Sequence, residues 1–261
     1  MVSEPIEKFA NLVFLHGWAM PSTFWQPVID ALPCQFRVEN LDLPGYRSQI
    51  DFDQNYDLET IADNLLNRIP FEQFTLVGWS LGGTIAIKLG LIAPERVRQV
   101  QLVGTTPCFL NRQDWAFGKD ATSFQQLSDQ FASDYRKGIK RFVSLQTHDP
   151  NPGNAKASRG LAKNIIQQVF ESPQPCHRTL MSGLQILADT DLRNEVHNLK
   201  MPIQVLSGTR DQVVPPQAGK WLADQIPKAE SLILLGAGHL PFVEQNDEYI
   251  KYLTSFVQQD P

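Results

Sequence analysis

A serine at position 80 lies in residues 78–82, which have the sequence GWSLG. The apolar run at 74–77 before it is typical of a buried strand, and apolar residues at helical spacing follow it until Pro94. A serine in G-x-S-x-G between a strand and a helix forms a tight turn that exposes its hydroxyl. The helix N-terminus behind it favours developing negative charge. A structural turn serine is the alternative, and the flanking strand and helix favour Ser80 as a nucleophile.

A serine nucleophile needs a base, and the base needs an orienting acid. His239 is the predicted base because it follows the last predicted strand, and Asp211 is the predicted acid because it follows the preceding strand. The three candidates follow one another along the chain in the order Ser80, Asp211, His239. Less suitable histidines and acids lie elsewhere, at His148, His177, His197, Asp42, Asp189 and Asp191.

A tetrahedral intermediate needs two hydrogen-bond donors for its oxyanion. The N–H of Leu81, directly after the nucleophile, is the first candidate, and the N–H of Trp18, in the loop after an early strand, is the second. The Trp18 indole is also suited to form one wall of an acyl pocket. His16 in the same loop is interpreted as a structural histidine that braces it.

The elements that must position these residues alternate between strand and helix over the first hundred residues. This succession predicts a mostly parallel sheet with helices on both faces, hence an α/β fold. Strand signals disappear from about 108 to 189, where helical periodicity dominates, and then return. We therefore expect a core made of residues 1–107 and 190–261 and a helical cap made of residues 108–189.

Several motifs together resemble the α/β-hydrolase superfamily over nearly the whole chain. They are residues 15–18 (LHGW), 42–45 (DLPG), 78–83 (GWSLGG), 94–97 (PERV), 208–211 (GTRD) and 238–239 (GH). Within that superfamily, the tryptophans at 18 and 79 and residues 107–109, 141–147, 183–187 and 191–193 are similar to carboxylesterases of biotin synthesis that act on pimeloyl-[acyl-carrier protein] methyl ester.

The resemblance implies a sheet of about eight strands and no metal or organic cofactor. It also implies an acyl channel in which a segment of the cap lies beside Trp18, Ser80, Leu81 and His239. That segment consists of Phe142, Val143, Ser144, Leu145 and Gln146. Without the resemblance, Phe142, Val143 and Leu145 would be interpreted as ordinary core of an amphipathic cap helix, and this remains the alternative.

Composition limits the classes of partner and compartment. The chain has 261 residues and a net charge of −5, which gives no reason to expect nucleic-acid binding. We find no secretory signal pattern and no apolar run long enough to span a bilayer, so no membrane association is expected. Three widely spaced cysteines argue against a disulfide framework and for a cytoplasmic protein, which we expect to be a monomer.

The predicted cap is basic although the whole chain is acidic. Residues 108–189 contain ten Lys or Arg and seven Asp or Glu, whereas the rest contains 13 and 21. A basic cap suits an acidic partner such as acyl-carrier protein, and a solvated helix face is the alternative. The predicted contact residues are Lys137, Arg141, Lys156 and Arg159.

The predicted activity is therefore that of a serine carboxylesterase, acting on a carrier-bound or a small ester. The resemblance implies the methyl ester of pimeloyl-[acyl-carrier protein] as the substrate. Two alternatives use the same triad, namely a broad-specificity esterase for short or medium chains and a hydrolase of carbon–carbon bonds. A non-catalytic ligand-binding member of the fold is a further alternative, but such proteins normally have a damaged triad, and here all three positions are filled.

Overall fold

A single parallel sheet organises the molecule, for which the computed structural model describes residues 10–50 and 52–259. The six strands of the described part follow the spatial order β2-β1-β3-β4-β5-β6, and every neighbouring pair is parallel. They are β1 (Ala10–Leu15), β2 (Phe36–Leu41), β3 (Phe74–Trp79), β4 (Val97–Val103), β5 (Ile203–Gly208) and β6 (Ala229–Leu234). The order reverses at β1 and β3, so Ser80 directly follows a strand at the topological switch point.

The expected fold class is confirmed, but the expected strand count of about eight is wrong for the described residues, which form six. From Ala10 onward, every run of residues that pairs in the sheet belongs to one of these parallel strands. Residues 1–9 lie outside the described part of the chain. The resemblance therefore gave the architecture correctly, and the described residues form six strands instead of about eight.

Ten α-helices are present in the described residues. Those of the core are α1 (Gln26–Ala31), α2 (Leu58–Arg68), α3 (Leu81–Ile92), α8 (Pro216–Gln225), α9 (Pro241–Glu244) and α10 (Asn246–Gln258). Those between β4 and β5 are α4 (Ala121–Ser133), α5 (Tyr135–Gln146), α6 (Ala155–Glu171) and α7 (His177–Asp189). Within the described ranges, no helix has both the length and the apolar composition that crossing a membrane requires.

Aspartate side chains fix where several helices begin. Asp57, Asp120 and Asp134 each accept a hydrogen bond from a backbone N–H in the first turn of α2, α4 and α5. These caps satisfy N–H groups that a helix cannot satisfy itself. Two of the three lie in the segment between β4 and β5, so residues next to these helices in sequence fix where the helices begin.

The segment 108–189, called the cap segment below, leaves and rejoins the core at one place. Cys108 and Asp191 form an antiparallel bridge, and the Leu192 N–H donates to the Pro107 carbonyl at 2.9 Å. Because its two ends meet, this helical segment is inserted between β4 and β5 without interrupting their pairing, which runs from Val100 to Val103.

Candidate active site

Ser80 occupies a strained turn between β3 and α3. Its φ of 55° and ψ of −117° are rare for a residue with a side chain, and its N–H donates to the Val103 carbonyl at 2.9 Å. The turn requires glycine on both sides: a Cβ on Gly78 would lie 2.5 Å from the Gly82 carbonyl oxygen, and one on Gly82 would lie 2.4 Å from that of Leu15. The sequence thus folds into a turn that projects the Ser80 side chain from the end of β3.

His239 and Asp211 form a buried pair at the same edge of the sheet. The distance from His239 Nδ1 to Asp211 Oδ2 is 2.7 Å, and neither side chain is exposed. Asp211 Oδ1 accepts the N–H groups of Val213 and Val214 at 2.7 and 2.8 Å, which fixes the carboxylate. Because a carboxylate only accepts, His239 Nδ1 is the donor. The other ring nitrogen, Nε2, is buried and makes no hydrogen bond within the described residues, so it is the atom available to take a proton.

Trp79 connects the serine turn to this pair. Its indole N–H donates to the His239 carbonyl at 2.9 Å, and the two rings lie 5.6 Å apart. The residue directly before Ser80 therefore positions the backbone of His239. Sequence reasoning assigned no such role to Trp79, although a tryptophan beside a nucleophilic serine is a usable signal.

The proposed oxyanion donors lie on two adjoining segments. Leu81 begins α3, where a helix leaves its first N–H groups without intrahelical partners. Because a Cβ on Gly82 would also lie 2.6 Å from the His16 carbonyl oxygen, this first turn packs directly on the loop that contains Trp18. That loop turns at Ala19, whose φ is 57° and whose N–H donates to the Tyr46 hydroxyl at 3.0 Å.

His16 braces this loop as a neutral imidazole. Its Nδ1 lies 2.9 Å from the Gly17 carbonyl, and its Nε2 accepts the Leu43 N–H at 3.0 Å. Burial lowers the pKa of His16 to about 4. Since His16 accepts a hydrogen bond at one nitrogen and is fully buried, it holds the loops after β1 and β2 together rather than exchanging protons with substrate.

The Trp18 side chain joins the core to the cap segment. Its indole N–H donates to the Leu180 carbonyl at 2.9 Å, and its ring lies 4.6 Å from that of Phe131 and 5.2 Å from that of Phe142. Trp18 is almost completely buried. The loop that carries one proposed oxyanion donor therefore also packs against the cap segment.

A cavity of about 490 Å³ lies beside this site. Val213, whose N–H binds Asp211, and Phe142, which contacts Trp18, both line it. The remaining apolar lining consists of Phe109, Phe124, Leu127 and Leu145, and the cationic lining consists of Lys119 and Arg141. Lys119 Nζ donates to the Gln212 carbonyl, and burial lowers the pKa of this amine. Its lining is largely apolar, and Trp18, Ser80, Leu81 and His239 are not among the residues that form it.

Of the five cap residues expected along the acyl channel, the structure places three at this cavity and two elsewhere. Phe142, Ser144 and Leu145 line the cavity, but Val143 and Gln146 do not. Val143 is fully buried in the hydrophobic core because it faces away on α5, and the Gln146 carbonyl accepts the His239 N–H at 3.4 Å. Sequence reasoning missed the contributions of Phe109, Lys119, Phe124 and Leu127. The spacing of Phe124 and Leu127 on one face of α4 was the available signal.

The four predicted carrier contacts are exposed on neighbouring helices. Lys137 and Arg141 lie on α5, and Lys156 and Arg159 lie on α6. Lys137 Nζ is 3.7 Å from an Asp134 carboxylate oxygen, and Arg141 donates weakly to Gln130 at 3.4 Å. The structure therefore places four exposed cations on two helices of the cap segment, with Arg141 also at the cavity.

Comparisons with known proteins agree with this geometry. The family model for the alpha/beta hydrolase fold matches residues 10–245. A pimeloyl-[acyl-carrier protein] methyl ester esterase from Nitrosomonas europaea is 35% identical over 96% of this chain and 98% of its own. The protein of the same name from Aliivibrio fischeri is 34% identical over 96% and 94%. An esterase structure from Exiguobacterium antarcticum superposes with a TM-score of 0.84 at 21% identity, covering 96% of this chain and 92% of its own, which shows the fold.

Proposed function

The chain belongs to the α/β-hydrolase fold family and, within it, to the family of the pimeloyl-[acyl-carrier protein] methyl ester esterases, and on that premise we propose that it hydrolyses this methyl ester by serine catalysis. The products are methanol and pimeloyl-[acyl-carrier protein]. The observation that carries the chemistry is the buried bond of 2.7 Å between His239 and Asp211 at the same sheet edge as the strained Ser80.

In the proposed cycle, His239 Nε2 removes the proton of Ser80 as Oγ attacks the ester carbonyl carbon. The N–H groups of Trp18 and Leu81 hold the resulting oxyanion. The imidazolium protonates the departing methoxide, so methanol leaves and an acyl-serine remains. His239 then deprotonates a water that attacks the acyl-serine, and the proton returns to Ser80 as the free acid departs. Asp211 keeps Nδ1–H oriented throughout and stabilises the imidazolium.

The cavity supports the proposed acyl chain. A pimeloyl group offers a row of methylenes, and each contributes roughly 0.8 kcal/mol when it is fully buried. The aromatic and aliphatic lining from α4 and α5 supplies such burial next to Asp211 and Trp18. With the methyl ester at Ser80, the chain extends along this cavity and the carrier protein remains outside.

Replacement of Phe142 by Ala tests this placement. We expect the KM for p-nitrophenyl octanoate to rise by roughly five- to tenfold, since about 1 kcal/mol or more of apolar contact is lost, with little change for the acetate. Steady-state kinetics on both esters provides the measurement, with Val143→Ala as the matched control on the opposite face of the same helix. Equal effects of Phe142→Ala on both esters would show that this side chain is cap core only.

The four exposed cations support docking of an acidic carrier protein. They lie on α5 and α6, which pack against each other, and Arg141 lines the cavity beside the candidate site. Long-range attraction between a basic surface and an acidic partner accelerates association and weakens as salt is added. Arg159 is the cleanest probe because it is exposed and does not line the cavity, whereas Arg141 adjoins Phe142.

For Arg159→Glu, we expect kcat/KM on the carrier-bound methyl ester to fall roughly fivefold at low ionic strength, and the defect to shrink as salt rises. Hydrolysis of p-nitrophenyl butyrate should not change, and Lys251→Glu on α10 is the matched control. The wild-type gene should restore growth without biotin to a bacterium that lacks its own pimeloyl methyl ester esterase. If Arg159→Glu and Lys251→Glu turn over both substrates like wild type and growth is not restored, a general esterase replaces our proposal.

We also propose that the protein works as a monomer in the cytoplasm. Cys34, Cys108 and Cys176 are free thiols, which fits a reducing compartment. The exposed large apolar side chains of the described part are few, namely Ile50, Ile92, Phe117, Ile233 and Leu235. Such a surface fits a protein that does not associate with itself.

A further inference from the structure

An ion pair behind the candidate active site connects the residues that precede Asp211 and His239. Arg210 Nη2 donates to Glu244 Oε2 at 2.9 Å, and Glu244 Oε1 accepts the Gly238 N–H at 2.9 Å. Arg210 directly precedes Asp211, and Gly238 directly precedes His239. One carboxylate thus links the loop after β5 to the loop after β6, immediately next to the two residues that share a proton.

Further contacts give this pair little freedom to move. Arg210 Nε donates to the Gly236 carbonyl, and the Arg210 backbone N–H donates to the Ala237 carbonyl at 2.8 Å. A Cβ on Gly238 would lie 2.8 Å from Glu244 Oε1, so the carboxylate packs directly against the backbone. The exposed fractions of the Arg210 and Glu244 side chains are only 21% and 9%. A partly buried guanidinium that binds several partners in this way fixes geometry more than it adds stability.

We propose that Arg210 and Glu244 are positioning residues, which hold the loops of Asp211 and His239 in the register that their hydrogen bond needs. Neither side chain touches the reacting atoms, and both act through the backbone next to the pair. A displacement of about 1 Å at a proton-transfer site lowers the rate on the order of 100-fold, so such anchoring affects the rate of catalysis. The inference rests on the proposed triad but not on the proposed acyl substrate.

Arg210 also has two partners in the cap segment, which offer a competing explanation and a control. Its Nη1 lies 3.1 Å from Asp149 Oδ2 and donates to the His148 carbonyl at 3.2 Å. Both partners belong to the cap segment, and His148 lines the cavity. Arg210 could therefore tether the cap instead of positioning the triad. Asp149→Asn removes the charge of the cap partner and leaves Glu244 in place, whereas Glu244→Gln weakens the link from Arg210 to Gly238 and leaves both cap contacts in place.

The test uses the full chain and a fluorophosphonate reagent, whose labelling rate reports the reactivity of Ser80 without any carrier protein. For Arg210→Gln, we expect labelling and kcat for p-nitrophenyl butyrate to fall on the order of 10- to 100-fold, with KM within about twofold of wild type. Glu244→Gln should lower the same two rates, and the double variant should be no slower than the slower single variant, because both changes break one unit. Arg210→Lys, which keeps the charge, should recover part of the rate.

A proton NMR spectrum gives a readout that stability alone does not move. The far-downfield resonance of the His239 Nδ1 proton should weaken in Arg210→Gln and in Glu244→Gln and should persist in Asp149→Asn. Arg96→Gln is the stability control, since Arg96 binds the carbonyls of Leu66, Ile69 and Phe71 far from the triad. It should lower Tm and leave labelling unchanged.

Two results would overturn the positioning role. One is a labelling rate in Arg210→Gln and Glu244→Gln equal to that of wild type. The other is an equal loss in Asp149→Asn, which would make Arg210 a cap tether. If Arg210→Gln does not fold, Glu244→Gln decides the question by the same two measurements. Wild-type protein that is not labelled at all would instead refute the proposed serine chemistry, and with it the triad on which this inference rests.

Discussion

Ser80→Ala is expected to lower kcat/KM for p-nitrophenyl butyrate on the order of 10⁴-fold or more. The variant loses the only atom that forms the acyl intermediate, while the oxyanion donors and the cavity remain. Alanine must adopt the same backbone geometry, with φ near 55°, so some strain persists without a change in side-chain packing. Initial rates and the burst of p-nitrophenol at high enzyme concentration provide the measurement.

His239→Ala should lose about as much activity as Ser80→Ala, because triad members act as a unit. Thermal unfolding of each variant is the necessary control, since His239 is fully buried and also contacts Trp79. Ser22→Ala provides a comparison with a buried serine away from the triad. Residual activity of Ser80→Ala above one per cent of wild type would contradict its assignment as the nucleophile.

Asp211→Asn is the second large effect, with an expected loss that is smaller than that of Ser80→Ala by roughly one to two orders of magnitude. An amide that presents its nitrogen to His239 Nδ1 favours the wrong tautomer, and it no longer stabilises the imidazolium. Its oxygen can still accept the N–H groups of Val213 and Val214, so the loop should keep its shape. The measurement is kcat/KM across a range of pH.

The matched control is Asp191→Asn. Asp191 also follows an element boundary and competed with Asp211 in the sequence, but it pairs with Arg193 at 2.7 Å, outside the candidate site. It should affect thermal stability and leave kcat/KM near the wild-type value. Near-native activity in Asp211→Asn would mean that another carboxylate orients His239.

The fold class and the three candidate triad residues could be predicted from the sequence because both depend on local signals. The strand before Ser80 and the glycines around it form one continuous pattern, and Asp211 and His239 each lie in the loop that follows a strand. The family match confirms the fold class. The structure brings Asp211 and His239 into contact, and their role remains a proposal that the variants above test.

Other features depend on contacts between distant residues that leave no local pattern. Glu244 and Arg210 are 34 positions apart and look like ordinary surface charges in sequence, yet they meet behind the triad. Likewise, Val143 and Phe142 are neighbouring apolar residues on one helix, and only the packing of α5 shows that Phe142 lines the cavity whereas Val143 does not. The expected strand count came from the family resemblance and not from residues of this chain, and the described residues form six strands.

The closed ends of the cap segment have a consequence for how the chain folds. Strands β4 and β5 are neighbours in the sheet although about 100 residues separate them. Once Cys108 and Asp191 pair, the connection that must still be closed is about 15 residues long, which reduces its entropic penalty by about 1.5 kcal/mol. The sequence separation of β4 and β5, and hence the contact order of the sheet, stays the same, but a closed cap segment shortens the loop that their pairing must close.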